Sequence, residues 1–417
     1  MRFRLSHLLW LILGVGILLR LTDLSYPDFA TDEAQFALGA SAAQPPLGMA
    51  FFRTSLWLFG DTLFAARGVS ALFGILTPLL IALIAREIAG REAALRAAAI
   101  ASIIPSHILF SRLAYLSVVL TFFWLLTLIA FLRAKKTTSP QSIIFLFASS
   151  LMGTFIKTQG ILLPGFLLLG RVIERRGRVL RDPVFWILAF SLIPILLFIA
   201  THPGIPATLL LYGGNMYGLS GLMSRFVMLF ATWWQLLLLA LPILLLGIAG
   251  FRRLPWPVWG LVLIGSAIGL LLGPGHPYYA VHLVYWSLPL ALALSSVPSI
   301  LQGGILTLLF VNTLALLMPR TVAVTPWTSP LERQDAYWNT HADAINTAIG
   351  GVDEVVVLGS PGHHIRWYIA SRVLVGKDMD ITNRKGTFLL LSPEERSNLK
   401  GGDVVYDDGQ TMVVERE

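Results

Sequence analysis

Two adjacent carboxylates, Asp32 and Glu33, stand in the stretch YPDFATDEAQFALGA of a chain that is only 13% charged. One reading is helix chemistry, with Thr31 as N-cap and acids favoured in the first turn by the helix dipole. The other is a general base for a hydroxyl, which needs a rigidly held carboxylate. The two are compatible. Further ionisable groups recur at intervals: Arg67 in FAARGVSALFG, His107 and Arg112 in HILFSRLAY, Lys157 in FIKTQG, and His276, Tyr278, Tyr279 and His282 in GPGHPYYAVHLVYW. A charge beside hydrocarbon is costly unless it is paired or used. Snorkelling to headgroups is the plain alternative for Arg112 and Lys157, an aromatic belt for the Tyr cluster, and pairing with a first-loop acid for Arg67.

The elements that must hold these residues are membrane spans. The chain of 417 residues is 56% hydrophobic. Apolar runs near 6–22, 64–85, 97–111, 117–132, 142–156, 158–170, 184–200, 226–249, 257–273, 279–297 and 301–318 give an α-helical polytopic membrane protein with about 11 transmembrane helices. The opening MRFRLSHLLWLILGVGILLRL lacks a prompt small-residue cleavage pattern and reads as an uncleaved first helix. With the N-terminus cytoplasmic, the inner segments carry Arg2, Arg4, Arg86, Arg91, Arg96, Arg133, Lys135, Lys136, Arg171, Arg175, Arg176, Arg178, Arg181, Arg252 and Arg253. The outer loops before the last helix hold only Arg53, Arg112, Lys157 and Arg225, an asymmetry that sets the orientation in the plasma (inner) membrane. The net charge of +8 is then mostly this bias, and with the cations spread over short loops no nucleic-acid partner is expected. The acids, Arg112, Lys157 and the His276 segment share the outer face, an arrangement suited to chemistry on an anionic lipid headgroup.

A transmembrane domain over 1–318 includes a long first outer loop, 23–63, with two interfacial helices separated at Pro45-Pro46. Residues 319–417 form a small extracytoplasmic α/β domain. Its expected parts are strands in DEVVVLGS and GTFLLL, a helix around HHIRWYIASRVL and a closing hairpin at Asp408-Gly409. Cysteine is absent, which rules out disulfides and thiolate chemistry.

The ordered set TDEAQFALGAS, QPPLGMAFFRTSLWLFGDTLFAARGVSALFGILT, LFSRLAY, IKTQGILLP and GHPYYAVHLVYWSLPLALA resembles the bacterial and archaeal glycosyltransferases of the GT-C superfamily. The likeness is to the branch of the protein O-mannosyltransferases and the lipid A aminoarabinose transferase, over residues 1 to about 318. It implies a polyprenyl-phosphate-linked sugar as donor and inversion at the anomeric carbon. It implies that Asp32 is the catalytic aspartate, completed by Glu33. By the same likeness Arg112 and Lys157 match positions facing the donor phosphate, and the segment from His276 to His282 a donor-side stretch. Arg67 and His276 are assigned to the phosphate with them, and Gln44, His107, Tyr278, Tyr279 and His282 to the donor and acceptor pocket. Two departures stand out. Gln44 replaces a Lys or His before the Pro-Pro pair, and Ser117 replaces an acid five residues after the arginine.

Elementary chemistry agrees with that implication. Nucleotide sugars are not available outside the cytoplasm, so a sugar must arrive on a lipid. Attack on its anomeric carbon turns a singly charged phosphodiester into a phosphomonoester carrying nearly two charges, which cations stabilise in the transition state. The acceptor hydroxyl could belong to a lipid, a glycan or a protein. A divalent ion bridging acid and phosphate would assist, but no ligand cluster beyond the acids is present, so none is expected to be required. The main competing class is a transporter or flippase of a lipid-linked or anionic substrate, against which stand the missing internal repeat and the missing paired mid-helix breaks. A scaffold for the C-terminal domain leaves the long first loop without a purpose.

Overall fold

The computed structural model describes residues 5–22, 24, 31–39, 44–202, 248–272, 277–317, 337–358, 365–369, 372–375, 385–391, 401–408 and 411–416. Contacts divide the chain into two compact units, one of residues 1–24 and 41–330, the other of 25–40 and 331–417.

The first unit is helical. In chain order its helices are α1 (Leu5–Leu21) and, after α2 (Thr31–Ala37) of the second unit, α3 (Pro46–Phe59), α4 (Leu63–Ser102), α5 (Pro105–Ser111), α6 (Leu116–Lys136), α7 (Pro140–Ile156), α8 (Leu162–Arg175) and α9 (Pro183–Thr201). Helices Trp256–Leu272, Ser287–Leu294 and Ser299–Leu317 follow. Proline opens α3, α5, α7 and α9, where its missing N–H costs nothing and its fixed φ suits the first turn. Among the described residues α4, α6 and α9 are long and apolar enough to cross a membrane, and five shorter apolar helices accompany them.

Two expectations change here. The run 97–111 is not one span: α4 continues from Leu63 to Ser102 across a break at Gly90, whose φ of 84° only glycine adopts readily, and Pro105 then starts the separate short helix α5. The run 279–297 begins as a 3₁₀ segment, Pro277–Trp286, before becoming α-helical at Ser287. The run 226–249 lies almost wholly outside the described residues.

Helix α1 packs on α4, and α6 packs on both α4 and α7. Gly16 makes the first contact close, because a Cβ there would stand 2.4 Å from the Ser102 carbonyl oxygen. At the ends bearing the basic loops, ion pairs tie helices together: Lys136 to Glu87 at 2.5 Å, Lys135 to Glu174, and Arg171 to Asp182, while Arg171 also pairs with Glu174 within α8 at 2.7 Å. Asp182 also caps α9 through the Val184 N–H at 3.1 Å.

The second unit holds a five-stranded sheet, with β1 (Glu354–Leu358), β2 (Arg372–Val375), β3 (Gly386–Leu390), β4 (Asp403–Asp407) and β5 (Met412–Arg416) in the order β2-β1-β3-β5-β4. β1 runs parallel to β2 and β3, while β5 lies antiparallel between β3 and β4, which realises the expected closing hairpin. Val355, Val357, Leu389 and Val413 form one core with Ile345 and Ile349 of the helix Tyr337–Ile349, and Val356, Phe388 and Val414 form another on the opposite face. Of the expected helix over HHIRWYIASRVL the described residues are helical at Ile365–Tyr368, and RVLV forms β2 instead. A short apolar run rich in β-branched residues goes to whichever element completes the sheet.

Candidate active site

Within the first unit, one face of α6 gathers the polar groups. Ser117, Thr121 and Trp124 are spaced i, i+4, i+7 and so share a side of the helix. Ser117 Oγ accepts from Lys157 Nζ at 2.9 Å. Thr121 Oγ1 bonds the Ser117 carbonyl at 2.8 Å and His282 Nδ1 at 3.1 Å. Trp124 Nε1 donates to the Gly160 carbonyl at 3.3 Å, and its ring stacks on His282 with centroids 5.1 Å apart. Ser117, the residue that departs from the resembled pattern, is thus a partner of Lys157.

Lys157 caps α7 in an extended conformation and is only 2% exposed. Its ammonium is enclosed by protein, which removes the snorkelling alternative. The turn that follows, Thr158–Ile161, folds back so tightly that a Cβ on Gly160 would lie 2.1 Å from the Gly153 carbonyl oxygen. Gln44 joins this turn, its side-chain oxygen accepting from the Thr158 N–H at 3.3 Å.

The 3₁₀ segment Pro277–Trp286 brings His282 and Tyr285 to one side, since residues three apart eclipse in that helix. Tyr285 Oη stands 3.4 Å from His282 Nδ1. His107, expected at the surface end of a span, is instead fully buried on α5, and α5 packs against this 3₁₀ segment. Its Nδ1 is held at 2.9 Å by Arg20 of α1. Arg20 is itself fully buried and donates to the carbonyls of Gly16 at 2.5 Å and Ser102 at 2.7 Å, so it closes the C-terminal end of α4. Arg112 forms the cap of α5 through its backbone N–H. Arg67 is buried in α4 and donates to the Leu24 carbonyl at 3.2 Å.

Glu33 is buried on α2, within the second unit. His276 and the side chains of Asp32, Tyr278 and Tyr279 lie outside the described residues. The structure thus brings together Lys157, His282 and Gln44 around α6 and His107 beside them. It adds Arg20, Ser117, Thr121, Trp124 and Tyr285, which sequence reasoning did not assign to the site. Two signals point to these: a polar stripe along one face of an otherwise apolar helix, and an arginine inside the first apolar run. The arrangement offers a buried ammonium, hydroxyls and two imidazoles in a water-poor setting, where charge-assisted contacts to an anion are strong.

Comparison with known proteins bears on this arrangement. Residues 43–202 match the family model described as dolichyl-phosphate-mannose-protein mannosyltransferase. The crystal structure of ArnT from Cupriavidus metallidurans bound to undecaprenyl phosphate superposes with a TM-score of 0.69 at 14% identity, covering 98% of each chain. The apo state of the same enzyme gives 0.67 at 14% identity with the same coverage. The archaeal oligosaccharyltransferase AglB from Archaeoglobus fulgidus, in complex with an inhibitory peptide and a dolichol-phosphate, gives 0.55 at 11% identity over 95% of this chain and 70% of that one. No curated protein sequence matches the chain.

Proposed function

From a chain with the fold of the GT-C membrane glycosyltransferases and a glycosyltransferase-family match over 43–202, we propose that this integral membrane protein transfers a sugar from a polyprenyl-phosphate donor to an acceptor hydroxyl with inversion. The reaction takes place on the extracytoplasmic face. The observation that carries this reading is Lys157, a cation enclosed by protein on a turn that Gln44 and Trp124 brace. That ammonium meets the donor phosphate, together with Arg112, Arg67 and His276. The undecaprenyl phosphate in the ArnT structure and the dolichol-phosphate in the AglB structure support a lipid phosphate as ligand.

In the reaction the acceptor oxygen attacks the anomeric carbon while the bond from that carbon to the phosphate oxygen breaks. Asp32 takes the hydroxyl proton, with Glu33 beside it. Polyprenyl phosphate leaves with one more negative charge than the donor carried, and Lys157 stabilises that charge as it develops. No metal is required. The fold likeness favours a transferase over a flippase. The test is transfer of radiolabelled hexose from undecaprenyl phosphohexose to total membrane lipid and protein by purified, reconstituted protein, with Lys157→Met as control. Export of the intact donor lipid without cleavage of its sugar would identify a flippase instead.

A further inference from the structure

Two buried imidazoles among the described residues of the first unit, His107 and His282, share one state. In His107 and in His282, Nδ1 is engaged by a side chain, while Nε2 is buried with no hydrogen-bond partner among the described residues. A buried nitrogen without a hydrogen bond needs an account, and a polar group of a bound molecule is one that supplies the missing partner. The two rings stand on elements that pack together.

Their polarities are opposite. Arginine has only N–H groups, so the Arg20 contact at 2.9 Å makes His107 Nδ1 an acceptor and places the ring proton on Nε2. Thr121 has one hydroxyl proton, and at 2.8 Å the Ser117 carbonyl, which can only accept, takes it. Thr121 Oγ1 therefore accepts from His282 Nδ1–H at 3.1 Å, the shorter of that nitrogen's two contacts, with Tyr285 Oη at 3.4 Å as a second acceptor, which leaves Nε2 of His282 as a bare acceptor. The Trp124 stack fixes the plane of that ring.

We propose that His107 and His282 form a hydroxyl-binding subsite for the sugar of the lipid-linked donor, His107 Nε2–H donating to a sugar oxygen and His282 Nε2 accepting a sugar hydroxyl proton. This rests on the transferase reading. A donor–acceptor pair suits a hydroxyl, which does both, whereas phosphodiester oxygens only accept. Arg20 and Thr121 are positioning residues that set the two tautomers.

The test uses full-length protein in detergent. ¹⁵N-histidine spectra should show His107 protonated on Nε2 and His282 on Nδ1, and the opposite tautomer at either ring overturns the inference whatever the protein binds. Binding of undecaprenyl phosphate and of undecaprenyl phosphohexose is then compared. His107→Asn keeps an acceptor for Arg20 but lacks the Nε2–H, and should weaken the hexose lipid about three- to tenfold while leaving the bare phosphate unchanged. His107→Gln, whose amide reaches the Nε2 position, should restore much of that loss. Equal effects on both lipids, or rescue by Asn and not by Gln, would assign the pair to packing. Failure of the wild type to bind either lipid would refute the transferase reading itself.

Discussion

Replacing Lys157 by methionine keeps the length and apolar stem of a side chain that is 2% exposed, and removes only its charge and donors. Two costs can be separated. Loss of the 2.9 Å bond from the Lys157 ammonium to Ser117, a hydrogen bond made by a charged group, is worth about 1.5–3 kcal/mol of stability, which Ser117→Ala probes while the charge stays in place. Loss of a charge-assisted contact to a phosphate is worth about 1.5–3 kcal/mol, or about 10- to 150-fold in affinity. Because charge on the phosphate grows along the reaction, the leaving lipid phosphate should lose more affinity than the sugar-linked donor, and kcat should fall along with kcat/KM. Microscale binding of undecaprenyl phosphate and of undecaprenyl phosphohexose to Lys157→Met, with thermal unfolding alongside, reads each term. Unchanged affinity for undecaprenyl phosphate in a variant that stays folded would refute the phosphate role and leave Lys157 as a structural partner of Ser117.

Other outcomes are equally specific. Asp32→Asn should leave the protein folded and slow transfer about a hundredfold to ten-thousandfold, with Glu33→Gln milder; transfer by Asp32→Asn near the wild-type rate would remove the general base. Gly160→Ala places a methyl 2.1 Å from the Gly153 carbonyl oxygen, so the turn must shift, and a loss of about 1–3 kcal/mol in unfolding should accompany weaker undecaprenyl phosphate binding. Glu174 lies past the apolar run of α8; burial pushes its carboxyl up, but hydrogen bonds from Lys135, Trp256 and Arg171 outweigh this and hold it down to about 2. A depressed carboxylate stabilises the protein above pH ~4.5 and loses that contribution as pH falls towards 2, so melting temperature should drop across that window and Glu174→Gln should flatten the drop. Transfer should survive EDTA, and dependence on added divalent ion would contradict the metal-free reaction.

Much of the architecture was legible because burial in lipid and burial on a sheet impose different sequence periods. Continuous apolar runs marked α1, α6, α7 and α9 to within a few residues, and DVVYDDGQTMVVERE announced the hairpin of β4 and β5. Hydropathy sums do not see backbone breaks. Apolar residues continue through Gly90 and Pro105, so the division of 64–111 into a kinked α4 and a short α5 follows from φ and from a missing N–H, not from polarity.

By itself the sequence determined that the chain lies in a membrane, and which ionisable residues stand near the ends of its apolar runs. Charge beside hydrocarbon is rare, and rarity makes such residues visible. Tertiary structure decided what each one contacts. Lys157 turns inward because α6 offers Ser117 one turn before Thr121, and His107 is oriented by an arginine 87 positions earlier in the chain. Ser117, Thr121, Trp124 and Tyr285 look ordinary in a linear reading, since hydroxyl and aromatic side chains are common in membrane helices. Their part in the site arises only where α6, the turn after α7 and the Pro277–Trp286 segment meet, because hydrogen-bond partners are chosen by distance in space and not by spacing along the chain.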